Sequence, residues 1–480
     1  MRQFDAVIVG AGPNGLTAAA RLAVSGHSVC VFENSNEIGG GTVTDTSVWP
    51  GYLLDHCSSV HPFGAASPAF RALQLTQRGL EFLHAPTALV HPLDGARAAV
   101  LDRDSRRTVE SLGVDGRRWQ RRFDVIARDW EKLVTATFAP VVRVPPHPLA
   151  LARFGLQGLR PAVKLASSFD GDAAQALFAG LAAHSAVPLE RLQTSGAGLM
   201  LGAAAGIVGW PVARGGSQAI ADALARVITD HGGTIVTGHR VTSLSELPAA
   251  SATLFDVSPR ILVDICGDAL DARYRQRLLR FRHGAGAFKV DYALREPIPW
   301  SARVGRTAGT LHLGGTMLEI AAAEAAVAAG QIAQRPYVLV GQPSVADPSR
   351  APQGRHTAWA YCHVPQGIDL REHRTDLVAN LEAQIERFAP GFGEVVEARR
   401  VLGPAELEAD NPNLHGGDFS GGAADGMQLL FRPTGRPSLD PYRTPIDGVY
   451  LCSASTPPGP GVHGMCGWNA AGSALRNSLR

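Results

Sequence analysis

The chain has 480 residues, of which 45% are hydrophobic and 18% charged, with a formal net charge of +2. At roughly 100–200 residues per domain, this length suggests about two to four structural units or one large interwoven enzyme. The composition is that of a globular chain with a sizeable core, not a disordered one. The near-neutral charge argues against a nucleic-acid binder, which carries a marked basic excess.

Six cysteines (Cys30, Cys57, Cys266, Cys362, Cys452 and Cys466) stand singly, none in a CxxC spacing. A zinc ribbon or redox dithiol is therefore not expected, nor is any metal. Scattered thiols and the lack of a basic, apolar leader before Phe4 read as a cytoplasmic protein.

Phe4 to Val9 (FDAVIV) is a buried parallel strand by its apolar run, Gly10 to Gly15 a turn, Leu16 to Ser25 a helix stopped by Gly26, and Ser28 to Phe32 a second strand. A strand–helix–strand of this length implies a right-handed crossover and a parallel sheet. Arg118 to Phe138 carries Phe123, Ile126, Trp130, Leu133, Val134 and Phe138 at helical spacing, and the prolines from Pro140 end it. Leu149 to Leu165 mixes apolar residues with Arg153, Arg160 and Lys164; it reads as a surface helix, and its basic edge would also suit the face of an anionic membrane. Pro188 to Leu192 opens a further helix. Gly196 to Ala213 has no charge but too few large aliphatics for a spanning helix, so it reads as a core helix and loop. Ser217 to His231 is helical. Thr234 to Val236 and Arg240 to Leu244 read as short strands around Gly238, and Ala252 to Val257 and Ala287 to Leu294 as longer ones. Thr375 to Phe388 is an amphipathic helix, Glu394 to Arg400 a solvated charge run, Gly448 to Cys452 a strand, and Gly467 to Leu479 a closing helix.

Gly10-Ala11-Gly12-Pro13-Asn14-Gly15 sits between a strand and a helix, the context in which such a string binds a dinucleotide. Gly10 allows the turn, Gly12 lets a diphosphate approach the backbone, Gly15 lets helix and strand pack, and the helix N-terminus favours the anion. Glu33 ends the second strand 18 residues beyond Gly15, where an acid accepts hydrogen bonds from an adenosine ribose. The run Glu37-Ile38-Gly39-Gly40-Gly41-Thr42 follows and lets the backbone pass close to a cofactor.

These motifs, with Trp49-Pro50-Gly51-Tyr52 through Asp55, Ser58 to Pro62, Gly215-Gly216-Ser217, Asp447 to Leu451 and Pro458 to Gly464, resemble the FAD-containing superfamily of amine oxidases and phytoene desaturases. The nearest likeness is the phytoene desaturase-like subgroup related to the pyridine nucleotide-disulphide oxidoreductase domain-containing proteins. The resemblance implies FAD, with its adenosine half on Gly10, Gly12, Asn14, Gly15 and Glu33, and Pro13, Gly40, Gly41 and Thr42 are further cofactor-binding candidates. It implies an adenine contact from the strand holding Val241, and a flavin ring meeting Ser453, Gly461 and Val462. Many relatives carry an arginine after the glycine doublet. Gly41 and Thr42 stand there instead, leaving one phosphate or ribose contact without its usual donor. With no paired cysteines, disulfide reduction is not expected.

The resemblance also places Asp55, His56 and His61 near the flavin, and His463 and Trp468 flank the closing motif. His61 and His463 are the catalytic candidates, although a lone histidine is more often structural and hydride transfer needs mainly positioning and a dry site. The expected fold is α/β. A Rossmann-like FAD domain would be assembled from residues 1–75, 210–285 and 435–480, and a mixed-sheet and helical substrate domain from 76–209 and 286–434. The expected reaction moves a hydride from a largely apolar small molecule to flavin N5, with oxygen or a quinone as electron acceptor, in the cytoplasm or at the membrane periphery. A flavin amine oxidase and a non-catalytic carrier on the same superfold are the alternatives.

Overall fold

The computed structural model describes residues 4–479. Ala6 to Val9 is apolar and buried throughout, so Phe4–Val9 forms a strand covered on both faces. Five strands lie in the order Val449–Leu451, Ala250–Phe255, Phe4–Val9, Val29–Phe32 and Thr234–Val236, and every pairing among them is parallel. The helix Pro13–Val24 connects the first strand to the second and packs between Gln218–Asp230 and Met465–Asn477.

Strand order reverses at Phe4–Val9. The chain leaves on one side to form Val29–Phe32 and later returns on the other as Ala250–Phe255. In an open parallel sheet, ligands bind in the crevice beyond the carboxyl ends at such a switch point. Gly10, Glu33, Asp256 and Cys452 are the residues that leave those ends.

A second sheet has seven strands in the order Val396–Leu402, Gly286–Leu294, His356–Val364, Val338–Gly341, Ala308–Leu313, Thr87–Leu93 and Arg97–Leu101. Ala308–Leu313 runs parallel to Thr87–Leu93 and the other pairings are antiparallel, so the sheet is mixed. Its side chains alternate: Ala358, Ala360 and Cys362 enter one core, while Trp359, Tyr361 and His363 occupy the opposite face. Trp359 shares a core with the helices Asp172–Ala183 and Thr194–Ile207. The molecule is thus α/β, a Rossmann-like sheet joined to a mixed sheet with helices.

Local departures from the sequence reading have physical causes. Arg118 to Phe138 is two helices, Gly116–Arg128 and Trp130–Thr137, parted at Asp129, whose carboxylate is held by Lys132 and Arg153. Pro188 to Leu192 is irregular, and the helix begins only at Thr194. Arg240 to Ser243 is a loop that leads into the 3-10 turn Leu244–Glu246: after Gly238, at φ +65°, the chain leaves the sheet edge. Val241 is therefore a buried residue in an otherwise exposed loop and not on a strand. The charge run Glu394 to Arg400 overlaps the edge strand Val396–Leu402, which pairs with Gly286–Leu294. Gly196 to Ala213 includes most of a buried core helix. Among the described residues no helix is long and apolar enough to cross a membrane.

Candidate functional site

A cavity of about 1100 Å3 opens at the switch point and extends beneath the mixed sheet. It exceeds the roughly 300–1,000 Å3 usual for small-molecule sites. Gly10 follows Val9 with φ +98°, a backbone that glycine adopts without cost, and it turns the chain toward the helix Pro13–Val24. A Cβ on Gly12 would stand 2.6 Å from Asp256 Oδ2, and one on Gly15 would strike the Gly10 carbonyl oxygen. The space these glycines leave is therefore shared between the cavity and Asp256.

Glu33 reaches back to the turn. Its Oε2 accepts the Ala11 N–H at 2.7 Å and its Oε1 the Ser35 N–H at 2.8 Å. Two amides thus fix the carboxylate at the cavity wall, and each oxygen keeps acceptor capacity for a sugar hydroxyl. Asn14 Oδ1 is buried there without a partner. The Thr42 hydroxyl is buried and donates to Gly39 O at 2.8 Å, so it holds its own loop. Every cofactor candidate except Gly15 lines this one cavity: Gly10, Gly12, Pro13, Asn14, Glu33, Gly40, Gly41, Thr42, Val241, Ser453, Gly461 and Val462. Gly467 belongs to the closing helix and lies directly on Asn14 O, where any side chain would collide, so the last helix seats tightly on the first. These residues fit a dinucleotide: a glycine turn at a helix N-terminus, an anchored carboxylate and further glycines on the wall of the same cavity.

The histidines differ in what they offer. Ser217 Oγ donates to Ser58 O at 2.6 Å, so it accepts from His61 Nε2–H, 2.8 Å away. His61 Nδ1 is then a bare acceptor, buried and unpartnered in the cavity wall. Burial pulls the His61 pKa down to about 4. His463 Nδ1 accepts the Met465 N–H at 3.0 Å, capping the closing helix, and burial likewise lowers its pKa to about 4. Both line the cavity, but His463 is committed to structure.

Asp55 does not line the cavity. It takes the Arg350 guanidinium at 2.5 Å, the Ser217 N–H at 2.8 Å and the Thr44 hydroxyl at 2.8 Å. Burial opposes its ionisation, yet Arg350, the Ser217 N–H and the Ser59 hydroxyl hold its pKa at about 2. His56 lines the cavity and faces Asp410 at 3.5 Å. Trp468 packs outside, with Arg21 stacked 4.2 Å above its ring.

Several lining groups were missed by the sequence reading. Trp359 and Tyr361 form a near-parallel pair, centroids 5.9 Å apart, and the alternation in HTAWAYCHV was the available signal. Lys289 Nζ donates to Asp55 O at 3.0 Å and to the Asp291 carboxylate from within the strand Gly286–Leu294. His184 pairs with His312 at 3.0 Å. Asp256, at the end of a predicted strand, passed without comment.

Residues 8–74 match the NAD(P)-binding Rossmann-like domain family. The chain is 27% identical to pyridine nucleotide-disulfide oxidoreductase domain-containing protein 2 of Rattus norvegicus, over 99% of this chain and 94% of the rat protein. It is 26% identical to a phytoene dehydrogenase of Streptomyces griseus, over 95% and 92% of the two chains. A solved structure of wild-type putrescine oxidase bound to putrescine shares the fold, with TM-score 0.62 at 18% identity over 99% of this chain and all of the other. With the glycine turn, the anchored Glu33 and the Rossmann-like sheet already described, the chain is similar over nearly its whole length to oxidoreductases of the phytoene desaturase-like kind, and it shares its fold with an amine oxidase.

Proposed function

We propose that the chain binds FAD along this cavity and oxidises or desaturates a largely apolar substrate by hydride removal. The observation that carries the reading is the continuity of the cavity, which runs without a break from Glu33 and the glycine turn to an arm walled by Phe138, Phe154, Met200, Leu339, Trp359 and Tyr361. Gly10, Gly12, Pro13, Asn14 and Gly15 would hold the diphosphate, Glu33 the ribose and Val241 the adenine side. Gly40, Gly41 and Thr42 would let the backbone pass close to the cofactor, and Ser453, Gly461 and Val462 would meet the flavin ring. Bound FAD supplies the hydride acceptor, with oxygen or a quinone as the final oxidant.

The chain's own work is positioning, exclusion of water and care of one proton. The aromatic arm orients an apolar molecule and keeps water out, the main requirements of hydride removal. His61 Nδ1 is the acceptor for a leaving proton, because its Nε2–H is committed to Ser217. The imidazole is neutral until it takes that proton, because burial lowers its pKa to about 4.

Access for an apolar substrate is from a lipid surface. Phe154 lines the cavity from the inner side of the helix Pro148–Gly158, while Leu149 and Leu156 on the outer side are 73% and 78% exposed. Arg153, Arg160 and Lys164 are exposed around them, a pattern that docks on anionic membranes.

The purified protein is expected to show oxidised flavin absorbance at roughly 450 nm. The Gly12→Val variant is expected to fold yet lose flavin and activity together. A protein colourless even after addition of FAD overturns the reading, and a Gly12→Val variant that keeps full function favours a carrier.

A further inference from the structure

Asp256 stands where an acid is least expected. It follows the strand Ala250–Phe255, its N–H is bonded to Val9 O, and its side chain lies against the glycine turn. Oδ2 accepts the Gly15 N–H at 2.8 Å, and among the described residues this is the side chain's single hydrogen bond. No Lys, Arg or His of the described residues lies within ion-pair distance of it. The residue is 9% exposed and lines the cavity. An ionised carboxylate here would face a diphosphate in the same turn with no cation between them, and two adjoining anions of this kind cannot both stay charged at low cost.

We propose, on the FAD reading given above, that Asp256 is a diphosphate-contacting residue that acts as the neutral acid, its O–H donating to a diphosphate oxygen while Oδ2 keeps the Gly15 N–H. A carboxyl kept neutral so that it can donate is a known use of a buried acid. FAD uptake then carries a proton with it wherever the free protein holds Asp256 ionised. The surroundings agree: burial, together with the charge of Glu33, pushes the Asp256 carboxyl up to about 7. The other titratable groups facing it are Cys452 after the last strand and Cys466 in the closing helix, both raised by burial and therefore uncharged in this range.

The test is calorimetric titration of the flavin-free protein with FAD from pH 6 to 8.5, in buffers of different ionisation heat, for wild type and Asp256→Asn. Wild type is expected to take up about one proton at pH 8.5 and to lose affinity about tenfold per pH unit above pH 7. Asp256→Asn, which can donate but not ionise, is expected to bind with no proton uptake, no slope, and at least tenfold more tightly than wild type at pH 8.5. Equal slopes in the two proteins, or a folded Asn variant that binds worse at every pH, overturn the inference. Binding by neither protein at any pH overturns the flavin reading itself.

Discussion

Asp55 and Arg350 are both wholly buried and joined at 2.5 Å, and they tie the short strand pair Thr44–Asp45 and Leu54–Asp55 to the turn Pro348–Arg350, which precedes the mixed-sheet strand His356–Val364. Removing one partner of such a pair leaves a buried charge without compensation and costs about 3–5 kcal/mol, whereas an exposed pair is worth about 1 kcal/mol or less. Arg350→Met is therefore expected to lower the denaturation midpoint far more than Arg71→Met, whose partner Glu131 is exposed. Equal effects would show that the buried pair is not the tie. Of this arrangement only Asp55 drew attention in the sequence. Arg350 lies in a 3-10 turn with no motif around it, because its role comes from a contact 295 residues distant along the chain.

The elements that position the site were legible where the pattern was local. Strand Phe4–Val9, its helix and Val29–Phe32 carry short-range signals of apolar run, glycine turn and strand-end acid, and they fold as read. Arg240 to Leu244 failed because its strand-like composition had no neighbouring strand to pair with once the chain left the edge at Gly238. Asp256 was overlooked although it leaves the sheet at the same level as Gly10 and Glu33, since which strands become neighbours is set by the whole fold. The helix Pro148–Gly158 belongs to this scale too. Leu156→Glu adds a charge to its outer, apolar face and leaves Phe154 untouched, so binding to vesicles rich in anionic lipid is expected to fall several-fold while turnover of a detergent-dispersed substrate stays unchanged. Vesicle binding equal to that of wild type would remove the membrane route.

Across the whole molecule, burial holds a set of histidines neutral. His61, His91 and His463 are pulled down to about 4, His184 to about 3, and His312 well below its ordinary value. The unfolded chain binds protons at these groups from about pH 6.5 downward, before the native state does. Stability from this source is complete above pH 6.5 and is lost as pH falls toward 4. Asp256 has the opposite sign: raised to about 7, it costs stability progressively as pH climbs from about 4 to 7. The flavin-free protein is accordingly expected to melt several degrees lower at pH 5 than at pH 6.5. Asp256→Asn is expected to melt higher than wild type at pH 8. A melting temperature flat from pH 6.5 to 4.5 would contradict the first expectation, and an Asn variant no more stable at pH 8 the second.

In the proposed binding mode the glycine turn and Glu33 together receive FAD. A crystal structure of the protein grown with FAD tests it most directly. The diphosphate is expected over Gly12 to Asn14, the ribose hydroxyls on Glu33, and the flavin ring beside Ser453 to Val462, opening toward Trp359 and Tyr361. A nucleotide seated elsewhere, or a turn that stays closed around Asp256 at saturating FAD, would contradict it.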